Sequence, residues 1–193
     1  MRTTGDKKRV VLITDGDKVA RKAVEEVAHR VGGRCISLSA GNPTPITGDE
    51  IISHILETPY DPVLVMLDDR GDRGQAQGEQ ALAEIVRNGQ VEVLGVVAVA
   101  SNTDHIRGVK VDCSITRDGE LIQEAVDKDG YPRTDHSPKL QGDTVDVLND
   151  YNIPIIVGVG DVGKMKGSDR SHKGAPITTR AVEEILARSG YQV

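Results

Sequence analysis

Four aspartates carry the strongest chemical signal in the chain. Asp15 and Asp17 follow the apolar run 10–14, and Asp68 and Asp69 follow the apolar run 63–67. Both runs are too short for a core helix and rich in branched aliphatic residues, so each reads as a buried strand of a parallel sheet. In open α/β sheets ligands bind at the carboxyl ends of such strands. If the two strands are neighbours their ends lie about 5 Å apart, close enough for Asp15, Asp17, Asp68 and Asp69 to share a Mg²⁺ or Ca²⁺ ion through oxygen ligands. Gly16, Gly71, Gly74 and Gly78 would let a ligand approach the backbone. The loop 39–45 contains two prolines that stiffen it, and it offers Asn42 and Thr44 as further ligand contacts. The bland alternative is that Asp17 caps the following helix, one of Asp68 and Asp69 bonds backbone amides, and the others are solvated.

Other motifs are incomplete. Gly158, Gly160 and Gly163 spell G-x-G-x-x-G directly after a strand, but the next helix waits until Pro176, whereas a dinucleotide fingerprint needs a helix opening within it. The expectation there is a flexible exit from an edge strand. Gly158 with Gly163-Lys164 matches a P-loop except that Met165 stands where a magnesium-binding hydroxyl is required, which argues against nucleotide hydrolysis. Asp127-x-Asp129-Gly130 is half an EF-hand loop and reads as a turn. The five histidines have no metal-ligand spacing, and no G-x-S-x-G elbow is present.

The elements that must position these residues follow from periodicity. Val19, Ala20, Ala23, Val24, Val27, Ala28 and Val31 recur at helical spacing, with Asp17 as cap and Gly32-Gly33 as stop. A short strand is expected over 35–38. Thr47 and Glu50 have capping-box spacing before Ile51, Ile52, Ile55 and Leu56, and Thr58-Pro59 closes that helix. After the central strand come a helix carrying Ala81, Leu82, Ile85 and Val86 and a strand over 93–100. Residues 109–115 alternate as a strand, Asp118-Gly119 forms a hairpin turn, and 120–126 returns. Residues 131–142 read as irregular and 144–150 as a short helix. A last strand spans 153–157, with Pro154 implying a late start or an edge position. A flexible basic loop over 164–173 then leads to a helix beginning at Pro176.

This alternation predicts an α/β fold: a mostly parallel open sheet with helices on both faces, Rossmann-like or Toprim-like in its βαβαβαβ core, plus a C-terminal β-hairpin and a final strand–helix extension. The division expected is a core over 1–103 and an extension over 104–193 packed on the same domain. A chain of 193 residues should bury roughly 70% of its extended surface. Phe and Trp are absent and only four Tyr occur, so the core must be aliphatic. That scarcity, with a net charge of −6, disfavours single-stranded nucleic acid as a partner. Cys35 and Cys113 lie far apart without C-x-x-C spacing and read as reduced core residues. The first nine residues are polar, so no signal peptide is expected, and no apolar run approaches the roughly 20 residues of a transmembrane helix.

Several longer motifs, in order, carry a resemblance: VLITDGDK at 11–18, GRCIS at 33–37, the 39–45 loop, PYDPVLVM at 59–66, 93–102, GVKVD at 108–112 and VDKDG at 126–130. Together they resemble the stage V sporulation protein AE family, the soluble SpoVAEa type. That resemblance implies a soluble spore protein, peripheral at the outer face of the spore inner membrane. It would promote germination and calcium dipicolinate release through contacts with other inner-membrane germination or dipicolinate-channel proteins. It transfers no catalytic residues. A weaker likeness is to Toprim domains, which place a Glu after the first strand and Asp-x-Asp after the third, where this chain has Asp15 and Asp68-Asp69-Arg70. Three readings follow: a non-enzymatic accessory protein; a Mg²⁺-dependent phosphotransfer or nuclease enzyme using Asp15, Asp68 and Asp69, with Lys18 or Arg70 offsetting charge; or a calcium or calcium-dipicolinate sensor at the same acidic tip.

Overall fold

The computed structural model describes residues 6–69, 76–103 and 107–191. Strand β1 (Lys8–Ile13) lies between β3 (Val63–Met66) and β4 (Val91–Val99), parallel to both. Strand β2 (Arg34–Cys35) closes one edge beside β3. On the other side come β9 (Ile156–Val159), β6 (Cys113–Ile115) and β7 (Leu121–Ile122), so the seven strands run in the order β2-β3-β1-β4-β9-β6-β7. Among the described residues of this sheet only the β6–β7 pair is antiparallel. Strands β5 (Val109–Lys110) and β8 (Lys139–Leu140) form a separate antiparallel pair.

Among the described residues four α-helices cover the sheet: α1 (Lys18–Arg30), α2 (Gly48–Glu57), α3 (Gln77–Arg87) and α4 (Pro176–Arg188). The period-two alternation of the strands decides which face each side chain serves. Val11 and Ile13 of β1 and Leu64 and Met66 of β3 pack with α1 and α4, while Val10, Leu12, Val63 and Val65 pack with α2 and α3. Connections leaving β1 toward the β2 edge use one face, and those returning from β2 through β3 to β4 use the other, as right-handed crossovers require. The direction therefore reverses around β1, whose loop faces the loop after β3.

The helix boundaries follow local chemistry. Asp17 accepts from the Val19 and Ala20 amides at 2.8 Å each. Gly32 donates to His29 and Gly33 to Ala28, a complete Schellman stop with Gly32 at φ 71°. Thr47 and Glu50 form the expected reciprocal capping box, and Pro176 opens α4.

Several sequence expectations are corrected. The strand expected over 35–38 stops at Cys35, and residues Ser37–Ser39 form a 3-10 turn. Ser39 is the reason: its hydroxyl donates back to Ile36 and accepts the Met66 amide at 3.0 Å, replacing a strand partner for β3 with a side chain. The run 109–115 divides into β5 and β6 because Asp112 turns there, its carboxylate accepting the Ile156 amide at 2.7 Å. The returning strand shrinks to Leu121–Ile122, the supposedly irregular 131–142 contains β8, and the short helix over 144–150 is a 3-10 helix at Asp146–Asp150. The last strand does start after Pro154, but it is interior, between β4 and β6, so Gly158 lies inside the sheet and not at an edge exit. The basic loop over 164–173 contains two 3-10 turns, Met165–Gly167 and Ser171–Lys173, around the fully buried Asp169.

Asp169 holds this last region together. One carboxylate oxygen accepts the Ile177 and Thr178 amides, and the other accepts the Gly163 amide and the Thr178 hydroxyl at 2.6 Å. The residue at the N-cap of α4 is Ala175, which has no side-chain acceptor, so Asp169 supplies the cap from outside the helix. Removing it strands four donors in the interior. Asp169→Ala should lower unfolding free energy by about 3 kcal/mol, and Asp169→Asn by less, read as a shift of the urea midpoint.

Candidate functional site

The carboxyl ends of β1, β3 and β9 converge on one cluster of charge. Asp15 and Asp17 follow β1, Asp68 and Asp69 follow β3, and Asp161 and Lys164 follow β9. The structure brings β1 and β3 together as the sequence reading requires, yet the four aspartates take separate tasks. Asp17 caps α1 and also receives Lys164, whose Nζ lies 2.6 Å from its second oxygen. Asp69 is fully buried and accepts the Gly78 amide at 2.6 Å, in the first turn of α3. Here too the N-cap is an alanine, Ala76, and the cap comes from an upstream aspartate. Asp68 is fixed through its backbone: its amide donates to the Thr44 hydroxyl at 2.9 Å, and its carbonyl accepts the Thr44 amide at 2.8 Å. Asp15 accepts the Asp17 amide at 3.3 Å and is otherwise set among carboxylates.

The glycines serve close packing here. A Cβ on Gly16 would lie 2.4 Å from the Gly41 carbonyl, so the 39–45 loop occupies the approach that the sequence suggested for a ligand. A Cβ on Gly78 would lie 2.5 Å from the Asp69 carboxylate. Thr44 is buried in its bond to β3, whereas Asn42 is exposed at the loop tip. Gly71, Gly74 and Arg70 lie outside the described residues.

Electrostatics separates the aspartates further. Burial, then the charges of Asp17 and Asp68, push the Asp15 carboxyl up to about 7, against a weaker pull from the Asp17 amide and Lys164. Burial also pushes Asp17 upward, but the Lys164 hydrogen bond and the Ala20 and Val19 amides outweigh it and leave Asp17 below the ordinary carboxylate value. Asp161 is raised by burial, partly offset by Lys164. Lys164 is itself raised: desolvation disfavours its charge, and Asp17 and Asp161 more than compensate. The ensemble is an acidic crevice with one lysine inside it. Among the described residues, no three His, Cys, Asp or Glu side chains are grouped as a metal ion would require; Asp17 gives one oxygen to backbone amides and the other to Lys164, and Asp69 gives one oxygen to the Gly78 amide.

Three functional residues escaped the sequence reading. Lys164 drew notice as the lysine of a failed P-loop and as the start of the basic loop over 164–173; its partner Asp17 is 147 positions away, beyond any local motif. Asp161 and Asp169 gave no signal by spacing. The alanine N-caps were a usable one, since a helix start without a capping side chain implies an acceptor brought from elsewhere.

A protein-family model described as Stage V sporulation protein AE1 matches residues 9–189. The chain belongs to the stage V sporulation protein AE1 family. No curated protein and no solved structure matches it. Family membership gives the chain a role in sporulation, and the match spans both the acidic crevice and the α4 region. Among the described residues no helix is long and apolar enough to cross a membrane.

Asp15 makes stability pH-dependent with a definite sign. Its folded-state value, about 7, lies above the ordinary 3.8, so the folded chain holds this proton more tightly and its stabilising contribution is present in acid and lost as pH rises from about 4 through about 7. Asp15→Asn, which stays neutral, should flatten that decline. Urea midpoints of both proteins across this range check it: parallel curves would remove the assignment.

Proposed function

We propose that the chain is a non-enzymatic accessory protein of spore germination that promotes calcium dipicolinate release through contacts with proteins of the spore inner membrane. Family membership over residues 9–189 carries the sporulation part of this reading. The accessory part is supported by what the crevice residues do. Asp17 and Asp69 complete helix N-termini, the Asp68 backbone is clamped by Thr44, and Lys164 neutralises Asp17. These are demands of the fold, and Asp15 is set against the charges of Asp17 and Asp68. A phosphotransfer enzyme of Toprim type would need Asp69 turned toward the same point as Asp15, but Asp69 lies under α3.

The surface best suited to partner contact is the tip of the 39–45 loop. Asn42, Pro43 and Pro45 are exposed, while Thr44 anchors the loop to β3 through three hydrogen bonds with Asp68. A rigid tip presented on a fixed base loses little conformational entropy on docking. Spores lacking the chain should load dipicolinate normally and release it slowly on germinant addition, followed by terbium–dipicolinate fluorescence. Restoring a gene that carries Asn42→Lys should leave release slow although the purified variant remains folded. Release at the normal rate in the deletion strain would contradict the accessory role.

A further inference from the structure

Lys164, the partner of Asp17, also lines a cavity of about 550 Å³, within the size range of small-molecule sites. Lys164, Lys166, Arg170 and His172 line it, with Gly163 and Gly167 in the wall, and no carboxylate is among the lining side chains described. This is unusual in a chain of net charge −6. The first turn of α1 contributes Val19 to the lining, and its Val19 and Ala20 amides are already capped by Asp17, so the positive charge of the concavity comes from the side chains.

The cations are held there by a backbone under strain. Met165, Lys166 and Gly167 take φ values of 44°, 52° and 93°, three consecutive residues in the left-handed region, two of them not glycine. Such a run persists only where its surroundings enforce it. Here the enforcing groups are internal: Met165 is buried against Gly130 and Gly160, and Asp169 is hydrogen-bonded to Gly163 and α4 beneath the turn. The anchoring turns Lys166 outward and brings Arg170 to the same rim. Lys164 and Lys166 have partners in Asp17 and Asp129, at 2.6 and 3.1 Å, but both lysines are substantially exposed and such pairs are weak. Among the described residues, neither Arg170 nor His172 makes an ion pair. A guanidinium and two ammonium groups around one concavity match the tripod of oxygens on a phosphate group, which arginine binds through paired N–H donors.

We propose that this cavity is an oxyanion-binding site that takes a phosphate group, carried by a small soluble molecule or by a lipid headgroup. The site is separate from the proposed partner surface at the 39–45 loop and does not depend on the germination role.

The test is calorimetric titration of the full chain at low salt with inorganic phosphate and, in a second arm, with vesicles of phosphatidylglycerol and phosphatidylcholine beside vesicles of phosphatidylcholine alone. Saturable binding of phosphate, weakened about tenfold or more in Lys166→Ala/Arg170→Ala and unchanged in Lys110→Ala, supports the site and a soluble ligand. Binding to the anionic vesicles with the same variant pattern supports the site and a lipid source. Both side chains are exposed, so folding should persist, and Arg170→Gln, which keeps the packing and removes the charge, repeats the test if the double variant is destabilised. No saturable binding in either arm, or equal binding by the wild type and the Arg170 variants, overturns the proposal.

Discussion

The constraint that organises this structure is that a helix beginning beside a buried strand end must find acceptors for amides that water cannot reach. Among the described helices, α3 and α4 each meet it with one buried carboxylate, while the caps of α1 and α2 lie nearer the surface. For α1 and α2 the cap is local, Asp17 and Thr47. For α3 and α4 the N-cap is alanine, and the acceptor arrives from the ends of other segments, Asp69 after β3 and Asp169 in the turn before the helix. These carboxylates tie the helices on both faces to the same edge of the sheet. The acidic appearance of that edge is in large part a consequence of capping.

The Asp17–Lys164 pair extends the arrangement across the chain. It joins the first β–α junction to the segment after β9 and keeps Asp17 charged where its neighbours Asp15 and Asp161 are driven toward protonation. Lys164 thus belongs both to the acidic crevice, through Asp17, and to the lining of the basic concavity. The sheet order makes this possible, because β9 enters next to β4 and delivers its carboxyl end near that of β1.

Much of the fold was legible in the sequence because its signals are local. The aliphatic runs at 10–14 and 63–67, the helical stripe from Val19 to Val31, the Thr47–Glu50 box and Pro176 each name an element by chemistry within a few residues. Errors arose where long-range contacts override local pattern. Ser39 ends β2 by substituting its hydroxyl for a strand partner, Asp112 breaks an alternating run by reaching Ile156, and β9 becomes interior because β6 pairs on its far side. The candidate site was legible as a place and not as an arrangement. Asp15, Asp17, Asp68 and Asp69 do lie at neighbouring strand ends, and Asp17 caps α1 as the sequence allowed, but nothing within the sequence says which of Asp68 and Asp69 turns to backbone amides or that Lys164 comes to Asp17.

The central claim is that the aspartates of the crevice serve the fold. The most direct measurement is calorimetric titration of the purified chain with Ca²⁺ and with Mg²⁺, beside Asp15→Asn/Asp68→Asn, with hydrogen exchange confirming that both proteins are folded. The account predicts no saturable binding of either ion by either protein. Stoichiometric binding by the wild type that disappears in the double variant would contradict it and make the crevice a metal site.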